Sequence, residues 1–458
     1  MTPTDRELTA LRAAIAGEVV LPGSPGYDTA RRPAIARFHH VRPRAVVRCA
    51  GEQDVVETLA VARLLREPVA VRSGGHCFAG RSSTTGIVLD VSPMDTVALR
   101  DGVAVVGAGT RLGALYDALD EHGLTLPAGC GPTVGVAGLT LGGGFGPLGR
   151  MHGLTCDRLV GARVVRGDGR VVDCDAHREA DLFWALRGGG GGGGWVVTSL
   201  RFVPVPAPPT SVFRLAWHAD HAAALVEAWP RWAPGAPDEL TSTLRLAAPA
   251  DPAEPATVQL VGTVLEGDPA PLLDDLVRLA GAEPATGTVT PGSFREAKRA
   301  LAGLGGSGAE LPGTRYGRSE FFRRPLPAGA AAALARAVVD DRVPGHAHEV
   351  DLNAWGGAYN RVPPDATAFA HRGEAFLLEV GLVASDGVAG APARLERSWS
   401  AVAPFGTGRV YPNFPDPDRA LPAAAYHGDN HERLRRIRAA ADPDTVLSPT
   451  LEEPCPAP

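Results

Sequence analysis

One stretch of this chain restricts its fold more than any other: Ala128-Gly129-Cys130-Gly131-Pro132-Thr133-Val134-Gly135-Val136-Ala137-Gly138-Leu139-Thr140-Leu141-Gly142-Gly143-Gly144-Phe145-Gly146, in which eight of nineteen residues are glycine. Glycine loses more backbone freedom on ordering than any other residue, so such density is unfavourable in a plain connector. It suits a place where backbone lies against a pyrophosphate and a flat ring. The spacing is not G-x-G-x-x-G after a strand with an acidic residue some twenty positions on, which excludes a Rossmann site. No Gly-Lys-Ser/Thr occurs, so a P-loop kinase or ATPase is excluded too.

Two further glycine clusters stand out. Val71-Arg72-Ser73-Gly74-Gly75-His76 follows a strand-like run. Its paired glycines let backbone amides approach an anion closely, and they leave His76 at the end of a rigid turn. On its own the fragment also fits a tight strand-to-helix turn with a surface histidine. The other cluster is seven consecutive glycines, Gly188 to Gly194, followed by Trp195.

At 458 residues the chain exceeds one hydrophobic core, which predicts two domains. The formal net charge of −6 gives no electrostatic reason to expect nucleic acid or an anionic membrane as partner. Among the basic residues Lys298 is the single lysine. The apolar piece Leu11 to Ala16 is broken by Arg12 and is too short for a secretion signal, and no apolar run reaches the length of a membrane span. A cytoplasmic protein is the expectation. Cys49, Cys77, Cys130, Cys156, Cys174 and Cys455 include no C-x-x-C pair, which argues for reduced thiols. His346-Ala347-His348-Glu349, placed in a loop leading into a strand, lacks partner ligands, so no metal is expected.

Along the chain, Ala45 to Arg48, Val69 to Arg72, Ile87 to Val91 and Val103 to Val106 read as short strands, and Gln53 to Arg66 and Leu112 to His122 as helices. Gly167-Asp168-Gly169 between Val160–Val165 and Arg170–Asp173 is a hairpin signal. The run Val203-Pro204-Val205-Pro206-Ala207-Pro208-Pro209 marks a linker. Beyond it, alternating strands (257–265, 349–355, 375–383) are broken by helices (271–280, 328–339). This predicts an antiparallel sheet with one face covered by helices and the other free to roof a ligand. A helix over 432–441 returns to the texture of the first half.

Together these segments resemble the FAD-linked oxidases of the vanillyl-alcohol oxidase superfamily, in the berberine-bridge-enzyme-like branch. The likeness runs in order through Arg72 to His76, Ala128 to Gly146, Asp181 to Gly188, Trp355-Gly356-Gly357, Tyr411-Pro412-Asn413-Phe414, Tyr426-His427-Gly428-Asp429-Asn430 and Asp442-Pro443-Asp444. The resemblance implies an α+β fold, with a PCMH-type FAD-binding domain over 1–205 and an antiparallel-sheet substrate domain over 206–410. Residues 411–458 return to the FAD-binding domain. It implies FAD joined covalently through His76, whose imidazole is a neutral nucleophile near pH 7. Arg72, Ser73, Gly74 and Gly75 fall at the cofactor in the first motif; Gly131, Pro132, Thr133, Gly135 and Gly138 in the second, with Gly142 and Gly143 in its tail; and Asn413 in the C-terminal one. Many relatives carry a second, cysteinyl link directly before Pro-Thr-Val-Gly. Gly131 fills that slot here and Cys130 sits one place early, which favours the histidyl link alone.

The proton acceptor is less fixed. The tyrosine that closes Y-x-N-Y in relatives is Phe414 in this chain. Tyr411 remains, and the strand Phe376-Leu377-Leu378-Glu379-Val380-Gly381-Leu382-Val383 offers Glu379. Alternation puts Glu379 on one face with Leu377, Gly381 and Val383, opposite a wholly apolar face. Burial raises a carboxyl pKa toward neutrality and a phenol pKa away from it, so Glu379 is the favoured base, with Tyr411 positioning the substrate. A substrate that ionises itself stays open. The implied activity is an oxidase taking hydride from a C–H that bears OH or NH, on a sugar, glycosylated polyketide, alkaloid-like amine or other secondary metabolite, with O2 as acceptor. The alternative is a protein that uses flavin as a scaffold, as a non-redox cyclase or a small-molecule sequestering protein.

Overall fold

The β runs of the first half pair into two sheets. In a computed structural model, which describes residues 3–303 and 313–447, Ala45–Arg48, Ile87–Asp90 and Val69–Arg72 lie side by side in parallel, with Glu18–Val20 antiparallel at the edge. Ile87–Asp90 is buried along its whole length, as expected of a strand in a parallel sheet covered on both faces. An antiparallel sheet follows in the order Val97–Arg100, Val103–Gly107, Trp195–Phe202, Leu159–Arg166, Val171–Cys174. Arg166 N donates to Arg170 O at 2.9 Å across the Gly167-Asp168-Gly169 turn, closing the hairpin. The two sheets and helices Glu52–Leu65 and Leu112–Asp120 share one core, in which Leu59, Leu89, Val106, Leu115 and Leu200 meet. The proline-rich segment is not free chain throughout: Val205–Pro206 pairs with Leu124–Thr125, a two-residue edge that tolerates the missing proline N–H.

The second half is a seven-stranded antiparallel sheet. Its order is Thr286–Gly292, Thr210–His218, Thr257–Leu265, Leu240–Ala248, His346–Ala354, Phe376–Ala384, Thr314–Phe322. Helices Ala222–Trp232, Ala270–Ala280, Ala328–Val339 and Ala391–Ser400 cover one face, where Trp229, Leu334 and Trp399 pack on Leu244, Leu352, Phe376 and Leu378. His346 and His348, expected in a loop, open a strand instead. Both are buried, and His348 Nε2 lies 3.2 Å from Ser398 Oγ of a covering helix. Among the described residues no cluster of side chains is arranged for a metal, and no helix is long and apolar enough to cross a membrane.

The C-terminal segment joins the halves. Thr407 N donates to Phe321 O and Phe321 N to Arg409 O, each at 3.0 Å, so this stretch runs beside the last sheet strand. Helix His431–Ala441 then packs against helix Ala180–Leu186, placing Leu434 in the first-half core, and Val69 N donates to Val446 O at 2.9 Å. Residues 448–458, with Cys455, lie outside the described residues.

Arg150 is the second tie. It is fully buried on the short helix Gly149–His152 and donates to Ala233 O (3.0 Å), Trp355 O (2.6 Å), Pro234 O (3.3 Å) and Ala236 O (2.5 Å). An unmade hydrogen bond to a buried carbonyl costs about 1–3 kcal/mol. Arg150→Met, which strands several, is expected to lower stability by about 3–5 kcal/mol. Arg158→Met, which loses an exposed contact to Val203 O, should change it by less than about 0.5 kcal/mol. The denaturant midpoint at constant slope reads both.

Candidate active site

A cavity of about 1840 Å³ lies between the two halves. The glycine turns form one wall and the free face of the seven-stranded sheet forms the opposite one.

The turns meet backbone to backbone. A Cβ on Gly74 would lie 2.3 Å from Gly135 N, and one on Gly135 would lie 2.3 Å from Ser73 Oγ. Glycine at both positions is therefore a steric requirement. Ser73 Oγ donates to Ala108 O at 2.7 Å, and Gly75, at φ +74°, accepts from Ala34 N. The turn delivers His76 to the cavity, where its Nε2 lies 3.1 Å from Thr133 Oγ1. Gly131 and Pro132 line the same wall. Gly135 is the N-cap of the helix Val136–Leu141, an element not apparent in the glycine run. Gly138 on that helix borders the cavity, and a Cβ there would meet nothing within 4 Å.

Three of the residues expected at the cofactor have close protein partners of their own. Arg72 borders the cavity, yet its buried guanidinium is spent on Ser82 O (2.9 Å), Ala30 O (2.6 Å) and Arg31 O (2.8 Å), so it braces the turn. Gly142 and Gly143 are set back from the cavity. A Cβ on Gly142 would strike Asn413 Oδ1 at 2.1 Å, and one on Gly143 would crowd Phe369 at 3.0 Å. Asn413 itself reaches the cavity and donates to Leu139 O at 2.9 Å.

Tyr411 also borders the cavity but is only 2% exposed. Its hydroxyl accepts from Gly144 N at 2.9 Å and from Asn413 Nδ2 at 3.0 Å, and burial pushes its pKa upward. This phenol pins the glycine loop from below. Phe414 packs among Phe78, Phe145 and Tyr411, at ring separations of 5.6, 5.9 and 5.0 Å.

On the sheet wall, alternation along Phe376–Ala384 turns Phe376, Leu378 and Val380 into the helix-covered core and Glu379 toward the cavity. The Glu379 side chain is 7% exposed and accepts a short bond from Arg315 Nη2. Burial pushes its pKa up to about 7; Arg315 pulls it down, and Asp351 and Glu349 push it up. Asp351, directly opposite in the register, takes a two-point contact from Arg245 at 2.7 and 2.9 Å. Neither arginine stood out in the sequence. Each is paired with a residue more than sixty positions away, and strand alternation alone does not reveal strand partners.

The cavity suits a dinucleotide with a flat ring: open backbone at Gly138, glycine walls no side chain could share, and one histidine at the rim. Residues 43–175 match the family described as FAD binding domain, and residues 410–448 match the one described as berberine and berberine like. An uncharacterized FAD-linked oxidoreductase of Bacillus subtilis (strain 168) is 32% identical over 446 residues, covering 94% of this chain and 96% of that protein. The chain belongs to the berberine-bridge-enzyme-like family of FAD-linked oxidoreductases. Among solved structures, the Physcomitrella patens berberine-bridge-enzyme-like protein 1 superposes with a TM-score of 0.86 at 25% identity, over 98% of this chain and 99% of that one. The xylooligosaccharide oxidase from Myceliophthora thermophila gives 0.83 at 26% identity, over 97% and 98%. The chain is thus an FAD-dependent oxidoreductase with the α+β fold of that family.

Two glycines separate scaffold from cofactor. Gly135→Ala is expected to lower both the melting temperature and the flavin-to-protein absorbance ratio, because its Cβ collides with the neighbouring turn. Gly138→Ala meets only open space, so it should fold normally and lose flavin alone.

Proposed function

We propose that this oxidoreductase takes hydride from a C–H bearing OH or NH on a small polar organic substrate, with Glu379 as the proton acceptor, His76 as the sole covalent anchor of FAD, and O2 as the final acceptor. The observation that carries this reading is Glu379: a buried carboxyl on the cavity wall with its pKa near about 7. FAD, when bound, supplies the two-electron acceptor that amino acid side chains lack.

The protein's own part is binding and proton handling. A general base works best with a pKa near the working pH, and burial brings Glu379 there. Arg315 fixes the carboxylate by a charge-assisted bond and keeps its ionised form accessible. The same sheet face presents Thr241, Thr243, Gln259, Arg245 and Asn353, a set that hydrogen-bonds hydroxyl or amino groups. This favours a sugar or another polyhydroxylated or aminated metabolite over an apolar one, in keeping with the xylooligosaccharide oxidase relative.

For the tether, the Thr133 contact at 3.1 Å is consistent with a fixed tautomer. When Nε2–H donates to Thr133 Oγ1, Nδ1 carries the nucleophilic lone pair. Cys130 borders the cavity, but burial pushes its thiol pKa up, away from the reactive thiolate. That supports a single link. The domain layout in which 411–458 completes the FAD-binding unit is part of the same proposal, supported by the ties of Tyr411 and Asn413 to the glycine loop.

Phe414, in place of a phenol, is the observation that favours a non-redox scaffold or sequestering role. Bleaching of the flavin near 450 nm on anaerobic substrate addition, with recovery in air, separates the readings; an unbleached flavin discards the oxidase. Acid-precipitated protein should keep its yellow colour, and His76→Ala should release it. Anaerobic flavin reduction should rise with pH and level off above about 7, since Glu379 must be ionised to accept a proton. Glu379→Gln should slow that step by about a hundredfold to ten-thousandfold and flatten the profile, whereas Tyr411→Phe should affect the rate less. A rate in Glu379→Gln close to that of the unaltered enzyme removes Glu379 as base.

A further inference from the structure

Lys298, the single lysine among 458 residues, takes no part in the reaction proposed above. It stands on helix Phe294–Gly303 of the sheet half, and its side chain crosses to the flavin half. There Nζ donates to Tyr116 Oη at 2.9 Å, to Gly129 O at 3.0 Å and, by a short bond, to Ala128 O. All three N–H groups are used, and every acceptor is neutral. The rings of Tyr116 and Phe294 lie 4.5 and 5.4 Å from the nitrogen and present their π faces to it. The residue is 4% exposed, and among the described residues no carboxylate pairs with it. Burial lowers its pKa to about 8, so it stays mainly charged at neutral pH.

A buried cation with only neutral hydrogen-bond acceptors, and the Cys130 thiol as its one titratable neighbour, is unfavourable, and an apolar side chain of similar length would join the two halves at less cost. The location supplies a reason for the charge. Ala128 and Gly129 lead directly into Cys130 and Gly131, which line the cavity, and Leu301 and Ala302 on the same helix line it as well.

We propose that Lys298 is a built-in counter-charge for the flavin, held behind the Ala128–Gly131 wall to stabilise the negative charge that two-electron reduction places on the ring. The inference rests on the reading that His76 carries the ring. Thr133 lies 3.1 Å from His76 and three residues beyond Cys130, so a ring joined to His76 lies beside that wall. A cation fixed in a water-poor wall acts at nearly full strength and needs no reorganisation when the charge arrives. Coupling of this kind is reciprocal: if Lys298 favours reduction, reduction must tighten the proton on Lys298.

A single lysine makes that reciprocity measurable in the unaltered holoenzyme. Protein grown on lysine labelled with carbon-13 at the ε position gives one lysine signal, from Lys298 alone. That signal is titrated in the oxidised and the dithionite-reduced enzyme. Tyr116 and Cys130 are the titratable groups that face Lys298; burial raises both pKa values, and because a Cys130 thiolate would itself raise that of Lys298, both redox states are also titrated in Cys130→Ala. The expected result is proton binding about tenfold tighter after reduction, which for a two-electron couple corresponds to about 30 mV of midpoint potential. Lys298→Met should accordingly lower the flavin potential by about 30 mV, and Lys298→Arg should restore most of it. The same titration midpoint in both redox states, with flavin bound, overturns the proposal and leaves Lys298 as a mechanical tie between the halves. Should the methionine variant fail to fold, the titration of the unaltered enzyme still decides. Failure of the His76 reading shows separately, as flavin released into the acid supernatant.

Discussion

The contact between Gly74 and Gly135 sets the geometry of everything around it. Two turns from segments sixty residues apart touch through bare backbone, with no room for a single methyl group on either side. That contact brings Ser73 to Ala108 and His76 to Thr133, and it starts the helix Val136–Leu141 at the cavity edge. Arg72 holds the first turn by giving its guanidinium to three main-chain carbonyls, and Tyr411 holds the tail of the second through Gly144. The entropy lost in ordering so much glycine is offset by fixed hydrogen bonds that leave backbone open toward the cavity.

The opposite wall works by period-two alternation. Each central strand of the seven-stranded sheet gives one face to the tryptophan- and leucine-rich core and the other to the cavity. The rigidity of the core thereby becomes rigidity of the polar face, since Glu379 cannot move without displacing Leu378 and Val380 on either side of it. Polar groups buried on such a face are costly unless paired, and the pairs are present: Arg245 with Asp351, Arg315 with Glu379. The pairing differs in kind. Asp351 receives two bonds from its arginine, Glu379 one, and Glu379 is the carboxyl whose pKa is driven close to neutrality.

Much of this was legible in the sequence wherever the signal is local. The strand Thr257–Leu265 and the helix Ala328–Val339 lie where alternation and alanine-rich periodicity place them, because neither depends on distant partners. The hairpin around Asp168 followed from its flanking glycines, and the motif order located the cavity wall. The misplacements share one cause, which is dependence on what lies across the fold. His346 and His348 look like loop residues until a neighbouring strand pairs with them, and Val205–Pro206 finds an edge that a proline run does not advertise. Gly142 and Gly143 share the composition of their neighbours yet face Asn413 and Phe369. Lys298 meets Tyr116 across 182 residues, a distance at which periodicity carries no information.

The loss of the closing phenol at Phe414 can be weighed on the same terms. A phenol that serves as base near neutrality must have its pKa lowered by several units, which takes a nearby cation left free to act on it. Arg315 gives its Nη2 to Glu379, and Lys298 sits behind the far wall, held by Tyr116 and two carbonyls. Burial would drive a tyrosine at position 414 the wrong way, as it drives Tyr411. A carboxyl needs only the burial that the wall already provides. Phenylalanine at 414 then gives an apolar surface packed against Phe78 and Phe145. On this argument the proposed carboxylate base does not depend on a phenol at 414, because the burial that raises its pKa comes from the sheet wall itself.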